Sequence, residues 1–249
     1  MLFAKSVLSL ITAATAVVGA PSQPSEADAL IVKRQNTFYE KNWSNDQAVL
    51  TWDDRPGGAF AVNWSQPNGG NFVVGKGYNP GREIAFNYSG TFTPGSNSNT
   101  YLALYGWVYN PTAEYYVIEN FGVHHPAGHV NSSCYGHFES DGGTYEIWRK
   151  YQTNAQGVVL FPQYWAVRTR KRTGGTITTG NFFAAWRAVG FTLNRQGEQV
   201  IGIEGQWGSG RATLTAGTLP TGTVRETATP TTRTNVPVGT GTCTAVIEI

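Results

Sequence analysis

A chain of 249 residues that is 14% charged and 13% aromatic, with a formal net charge of +2, carries far less charge than the roughly 25% of an average soluble domain. That balance, with Lys and Arg scattered, excludes a nucleic-acid-binding surface as the leading reading. The cysteines Cys134 and Cys243 are too few to form a disulfide-stapled module, so the fold must rest on a hydrophobic core, which this length supplies.

The first segment, "MLFAKSVLSLITAATAVVGA", has one Lys, a short apolar stretch and small residues ending at Gly19-Ala20. It reads as a secretory signal peptide over residues 1–20, too short and wrongly flanked for a membrane span. The polar stretch at residues 21–34 ends in the dibasic pair Lys33-Arg34 and reads as a propeptide, with Gln35 as the mature start. A secreted protein with no membrane anchor is expected. Outside the cell both cysteines are oxidisable, and whether they pair is left open by the sequence.

From Thr37 to Thr215 short alternating runs such as "FAVNWS", "TYLALYGWVY", "EYYVIENFG", "GTYEIWRKYQ" and "EQVIGIEGQW" are separated by turn chemistry such as "QPNGG", "YNPTA" and "DGG". Period-two runs at this spacing predict an all-β sandwich or barrel occupying residues 35–216 as one domain. The spacing of Phe182, Ala185, Trp186 and Val189 predicts a helix over Asn181 to Phe191, with Asn181 as its cap. Residues 217–249 are rich in Thr and Pro without a period and read as a disordered tail. Sequons stand at Asn42, Asn63, Asn87 and Asn131.

Two carboxylates lie on strand-like runs. Alternation in "EYYVIE" places Glu114, Tyr116 and Ile118 on one face and Tyr115, Val117 and Glu119 on the other. In "EQVIGIEGQW", Ile201 and Ile203 share a core-like face, while Val200, Gly202, Glu204 and Gln206 share the open one. Two acids on open strand faces suit glycoside hydrolysis, where one attacks the anomeric carbon and the other protonates the leaving oxygen. Glutamates on exposed strands are also commonly just solvated. Tyr101, Tyr105 and Trp107 on one strand face, among 8 Trp and 12 Tyr, favour sugar stacking, although filling a β-core uses such rings equally well. The chain's histidines and Cys134 fall in "HHPAGHVNSSCYGH". Imidazoles and a thiolate are ligands for Zn or Cu, yet the spacing matches no known motif, so no metal and no cofactor are assigned.

The runs "RPGGAFAVNWS", "GNFVVGKGYNPG", "YLALYGWVYNPTAEYYVIENFG", "SDGGTYEIWR", "QYWAVR" and "IEGQWGSGRATLT" resemble, in order and spacing, those of the glycoside hydrolase family 11 endo-β-1,4-xylanases. The resemblance covers about Thr37 to Thr215. It implies a β-jelly-roll of two twisted antiparallel sheets with one α-helix and an open cleft, acting with retention on plant cell-wall xylan as a metal-independent monomer. Plant xylanase-inhibitor proteins would be partners. By the same resemblance Glu114 is the nucleophile and Glu204 the acid/base, Tyr105 and Tyr116 line the cleft, and Trp43 is a sugar platform. Gln163 stands at the base of the thumb loop, and Asn63 hydrogen-bonds the acid/base, so its sequon is expected to be unused. The chain departs from the family in a shortened thumb around Gln156-Gly157-Val158, in Gln152 for an arginine, and in Glu198, Gln206 and His124 for tyrosines. Those departures keep two alternatives in view: a weakly active glycan-binding or decoy homologue, and a hydrolase of another plant polysaccharide.

Overall fold

The computed structural model describes residues 38–66, 69–127, 132–217, 243 and 245–249. The signal-peptide and propeptide expectations, the Asn131 sequon and most of the tail lie outside them. The strands are β1 (Tyr39–Ser44), β2 (Val49–Asp54), β3 (Ala59–Gln66), β4 (Phe72–Tyr78), β5 (Ala85–Pro94), β6 (Asn99–Tyr109), β7 (Ala113–Phe121), β8 (Ser132–Ser140), β9 (Gly143–Thr153), β10 (Val159–Arg168), β11 (Gly175–Thr178) and β12 (Arg195–Ala216). The helix α1 spans Thr179–Ala188 between β11 and β12.

The larger sheet runs β1-β4-β12-β6-β7-β10-β9-β8. The smaller one gathers β2, β3, β5 and β11 around the C-terminal half of β12. β12 therefore belongs to both, pairing β4 and β6 as far as Gly205 and Trp207, and β3 and β5 from Gly208 and Gly210 onward. The switch falls in "GQWGSG", where the β6 register slips between Gly205 and Trp207 and Gly208 takes a φ of 96°. Glycine reaches that conformation without the strain a side chain would add.

Alternation sorts the side chains as the sequence reading expects. Tyr115, Val117, Ile201 and Ile203 join Phe60, Val62 and Trp64 in the core between the sheets. Tyr116, Ile118, Tyr105 and Val200 form a second apolar layer on the other face of the large sheet. The sheets are not wholly antiparallel. β10 lies parallel to β7, with Gln163 beside Glu114, because the chain crosses to the far edge after β7 and returns through β8 and β9.

The helix starts earlier than periodicity indicates. Thr178 binds the Asp141 carboxylate through its backbone N–H (2.8 Å) and its hydroxyl (2.6 Å), fixing the entry. Asn181 sits inside the helix rather than at its cap, and its amide donates to Ser140 Oγ (3.1 Å). The end is a Schellman turn: Phe191 N–H donates to Trp186 O (2.9 Å) and Gly190 N–H to Arg187 O (3.0 Å), with Gly190 at φ 85°. Phe182, Phe183 and Trp186 pack edge-on or tilted against Tyr145, Tyr115 and Phe138 beneath the large sheet.

Cys134 and Cys243 form a disulfide with Cα atoms 5.5 Å apart. The last residues are thus not part of a disordered tail. Val246 makes a parallel bridge with His137. His137 N–H donates to Ala245 O (2.7 Å), Ile247 N–H donates to His137 O (2.8 Å), and Ile247 is buried in the main core. The "AVIEI" ending has the alternation to add an edge strand to β8, and the disulfide holds it there.

Candidate active site

The cleft is the open face of the large sheet, with a volume of about 940 Å³. Its floor follows the register. Tyr39 pairs with Gly77, Gly77 with Val200, Val200 with Tyr105, Tyr105 with Tyr116, and Tyr116 with Trp165. Tyr116 stacks flat on Trp165 at 4.0 Å and meets Tyr105 edge-on at 5.4 Å.

The two carboxylates flank this row. Glu204 on β12 pairs with Tyr101 of β6, whereas Glu114 on β7 pairs with Trp107 of the same strand, six residues further along. On a flat strand that offset would be about 20 Å. The twist of the sheet makes the acids face one another across Tyr105 and Tyr116, and the Tyr116 hydroxyl favours the ionised form of each carboxyl.

Both acids are buried, Glu114 7% and Glu204 5% exposed, but their surroundings differ. Burial raises both above the ordinary carboxylate range, since a charged carboxylate loses its hydration. Glu204 is pushed up to about 8, first by burial and then by the negative charge of Glu114; Tyr116 and Lys150 oppose the rise. Its Oε2 has no hydrogen-bond partner. Glu114 accepts from Gln163 Nε2 at 2.6 Å. Hydrogen bonds from Tyr105 and Tyr116 and the charge of Lys41 further favour its ionised form. With more donors aimed at Glu114, it ionises first and Glu204 keeps its proton. One carboxylate and one carboxylic acid in a cleft walled by rings is the apparatus for displacing a glycosidic oxygen.

Trp43, Gln163, Tyr105 and Tyr116 all line the cleft with the two glutamates, and Trp43 is 45% exposed on its rim. Asn63 does not. It lies on β3 between Thr51 and Arg211 in the smaller sheet, exposed on its outer face because Val62 and Trp64 on either side point to the core. An oligosaccharide there would not obstruct the cleft, so that reason for an unused sequon falls. Asn71, just before β4, lines the cleft instead, with a buried Oδ1 that has no partner. Lys41 and Lys150 line it too. Continuing the alternation of Trp148 to Lys150, and of Trp43 back to Lys41, would have shown these two.

The altered residues also have places. Gln206 accepts from Asn99 Nδ2 at 3.3 Å. The thumb hairpin between β9 and β10 closes on Asn154, whose Oδ1 accepts from the N–H groups of Gln156 (3.0 Å) and Val158 (2.9 Å). Beyond it Phe161 meets Trp107 edge-on at 4.9 Å, and Leu160 joins the cleft wall. His124 packs against Trp207 at 5.3 Å. His125 lies near Glu146 (3.6 Å), and Cys134 is committed to the disulfide. Among the described residues no His, Cys, Asp or Glu group is gathered as a metal site.

The fold is that of a glycoside hydrolase, and its aromatic cleft holds two buried carboxyls. Residues 35–215 match the family described as Glycosyl hydrolases family 11. The chain belongs to that family, whose members retain anomeric configuration. It is 38% identical over 222 residues to endo-1,4-beta-xylanase B of Penicillium oxalicum, covering 84% of this chain and 70% of the relative. To endo-1,4-beta-xylanase 11A of Botryotinia fuckeliana it is 39% identical over 228 residues, covering 84% and 98%. A solved structure from a comparison of two major endo-1,4-beta-xylanases of Trichoderma reesei superposes with a TM-score of 0.63 at 34% identity, covering 72% of this chain and 97% of that one.

Proposed function

We propose that the chain hydrolyses internal β-1,4 bonds of xylan outside the cell, with Glu204 as acid/base and Glu114 as nucleophile. The observation that carries this reading is the unequal environment of the two buried carboxyls in one cleft: Glu204 has an Oε2 without a hydrogen-bond partner and is pushed up to about 8 by burial and by Glu114, whereas Glu114 accepts from Gln163 Nε2 at 2.6 Å. In the first step Glu204 gives its proton to the glycosidic oxygen while a Glu114 oxygen bonds to the anomeric carbon, and the chain beyond departs as an alcohol. In the second, Glu204 takes a proton from water, whose oxygen displaces Glu114 from the same carbon and restores the original configuration. Trp43 on the rim, together with Trp107 and Phe161, offers stacking faces to sugar rings of a long polymer. The Cys134–Cys243 disulfide suits an oxidising compartment, in keeping with the leader sequence.

The test is release of reducing ends from xylan by the chain starting at Gln35, beside Glu204→Gln. Release that the variant loses supports both substrate and acid/base. No release from folded protein, with release from another plant polysaccharide such as a β-glucan, would move the substrate assignment and leave the pair in place.

A further inference from the structure

One charged cluster in the cleft lies apart from the carboxyl pair. On β1 the cleft-facing side chains are Tyr39, Lys41 and Trp43, and the neighbouring strand β4 offers only Gly77 and Gly75 opposite the first two. With no side chain rising from either glycine, Tyr39 and Lys41 extend over β4 to β12. There the Tyr39 hydroxyl donates to Glu198 Oε2 at 2.5 Å and Lys41 Nζ to Glu198 Oε1 at 2.6 Å. Glu198 stands where the β12 register slips between Gln196 and Gln199, beside Trp107, whose other neighbour is Glu114. Lys41, Glu198 and Glu114 line the same cavity.

We propose that the Lys41–Glu198 ion pair is a positioning device for the nucleophile, holding a fixed cation over the Glu114 end of the cleft and thereby setting the pH below which the enzyme stops working. This rests on the reading of Glu114 as nucleophile. Other groups facing Glu114 are Tyr105 and Trp107 from β6, Tyr116 from its own strand, Gln163 from β10, Lys150 from β9 and Glu204 from β12. Of the two lysines, Lys150 acts on Glu204 as well, so its loss disturbs both carboxyls. The Lys41 ammonium favours ionised Glu114 through its positive charge. A lysine on a flexible stem would deliver that charge only intermittently. Glu198 and Tyr39 remove the freedom, and the Tyr39 hydroxyl is itself pushed up to about 12, by burial first and then by Glu198, so it remains a donor through the working range.

The experiment is the pH profile of kcat/KM on a soluble xylo-oligosaccharide, which reports the free enzyme's ionisations. It compares the parent, Lys41→Met, Glu198→Gln, the double variant and Lys41→Arg. Losing the cation should move the acid limb upward by about half to one pH unit. Releasing it in Glu198→Gln should move the limb the same way by less, the double variant should match Lys41→Met, and Lys41→Arg should stay with the parent. A purely structural ion pair would lower activity without displacing the limb. Limbs that stay put in Lys41→Met and Glu198→Gln, or a limb that falls in Glu198→Gln, overturn the inference. If Lys41→Met does not fold, the upward direction in Glu198→Gln and the constancy in Lys41→Arg decide it. Glu114→Ala runs alongside: turnover persisting there overturns the nucleophile reading itself, and the inference with it.

Discussion

The coupling between the two carboxyls can be measured directly on Glu204. Replacing Glu114 by Gln keeps the shape and removes the charge. Taking the separation of about 5.5 Å typical of a retaining pair and an effective dielectric near 20, the lost repulsion is about 3 kcal/mol, equal to about two pH units. Glu204, pushed up to about 8 in the parent, should then titrate near 6, still above the ordinary range because burial is its first cause. The assay is carbon-13 NMR of labelled glutamate carboxyls, followed from pH 4 to 10 in Glu114→Gln and in Glu204→Gln to assign the resonance. A Glu204 midpoint unchanged near 8 would show that the acids do not feel one another. A midpoint fallen to an unperturbed value would show that burial contributes nothing. Either result refutes the account of how one acid keeps its proton.

Three further outcomes follow from the same structure. Because the folded-state value of Glu204 lies above its unfolded value, folding loses stability as pH rises from about 4.3 to about 8; Glu204→Gln should melt higher than the parent, by a margin that widens across that window in thermal scans. Glu119 lies in the core, accepting from Tyr88 (2.6 Å), Tyr145 (2.5 Å) and the Arg172 guanidinium; Glu119→Ala leaves Arg172 without its buried partner and should lower unfolding free energy by about 3–5 kcal/mol in urea titration. Cys243→Ser opens a loop with a sequence separation of 109 and frees the terminal edge segment; a loss of about 2–5 kcal/mol is expected, read as a lower urea midpoint with kcat/KM at low temperature unchanged.

Much of the site could be read from strand alternation alone. Glu114 and Glu204 stand out because their strands carry apolar residues on the opposite face, and Tyr105 and Tyr116 follow from the same pattern. Asn63, placed beside the acid/base by resemblance, shows what alternation leaves undecided. An outward-facing residue on a strand lies either in the cleft or on the outer face of the smaller sheet, and only long-range pairing decides which. β3 pairs with β2 and the far half of β12, so Asn63 faces away, while Asn71, in a turn with no period, lines the cleft. Glu198 was visible as a departure, but its partner was not, because the Lys41 contact depends on two glycines of a third strand. The parallel β7–β10 pair and the docked C-terminus are likewise products of topology, which local periodicity does not encode.

The most direct test of the central claim is covalent trapping of the nucleophile. An activated 2-deoxy-2-fluoro xylobioside should inactivate the protein with a one-to-one gain in mass, and peptide mapping should place the label on Glu114. A label on Glu204, or on Glu198 as the third carboxylate lining the cleft, would contradict the assignment. Slow hydrolysis without any covalent species, giving product of inverted configuration, would contradict the mechanism as a whole.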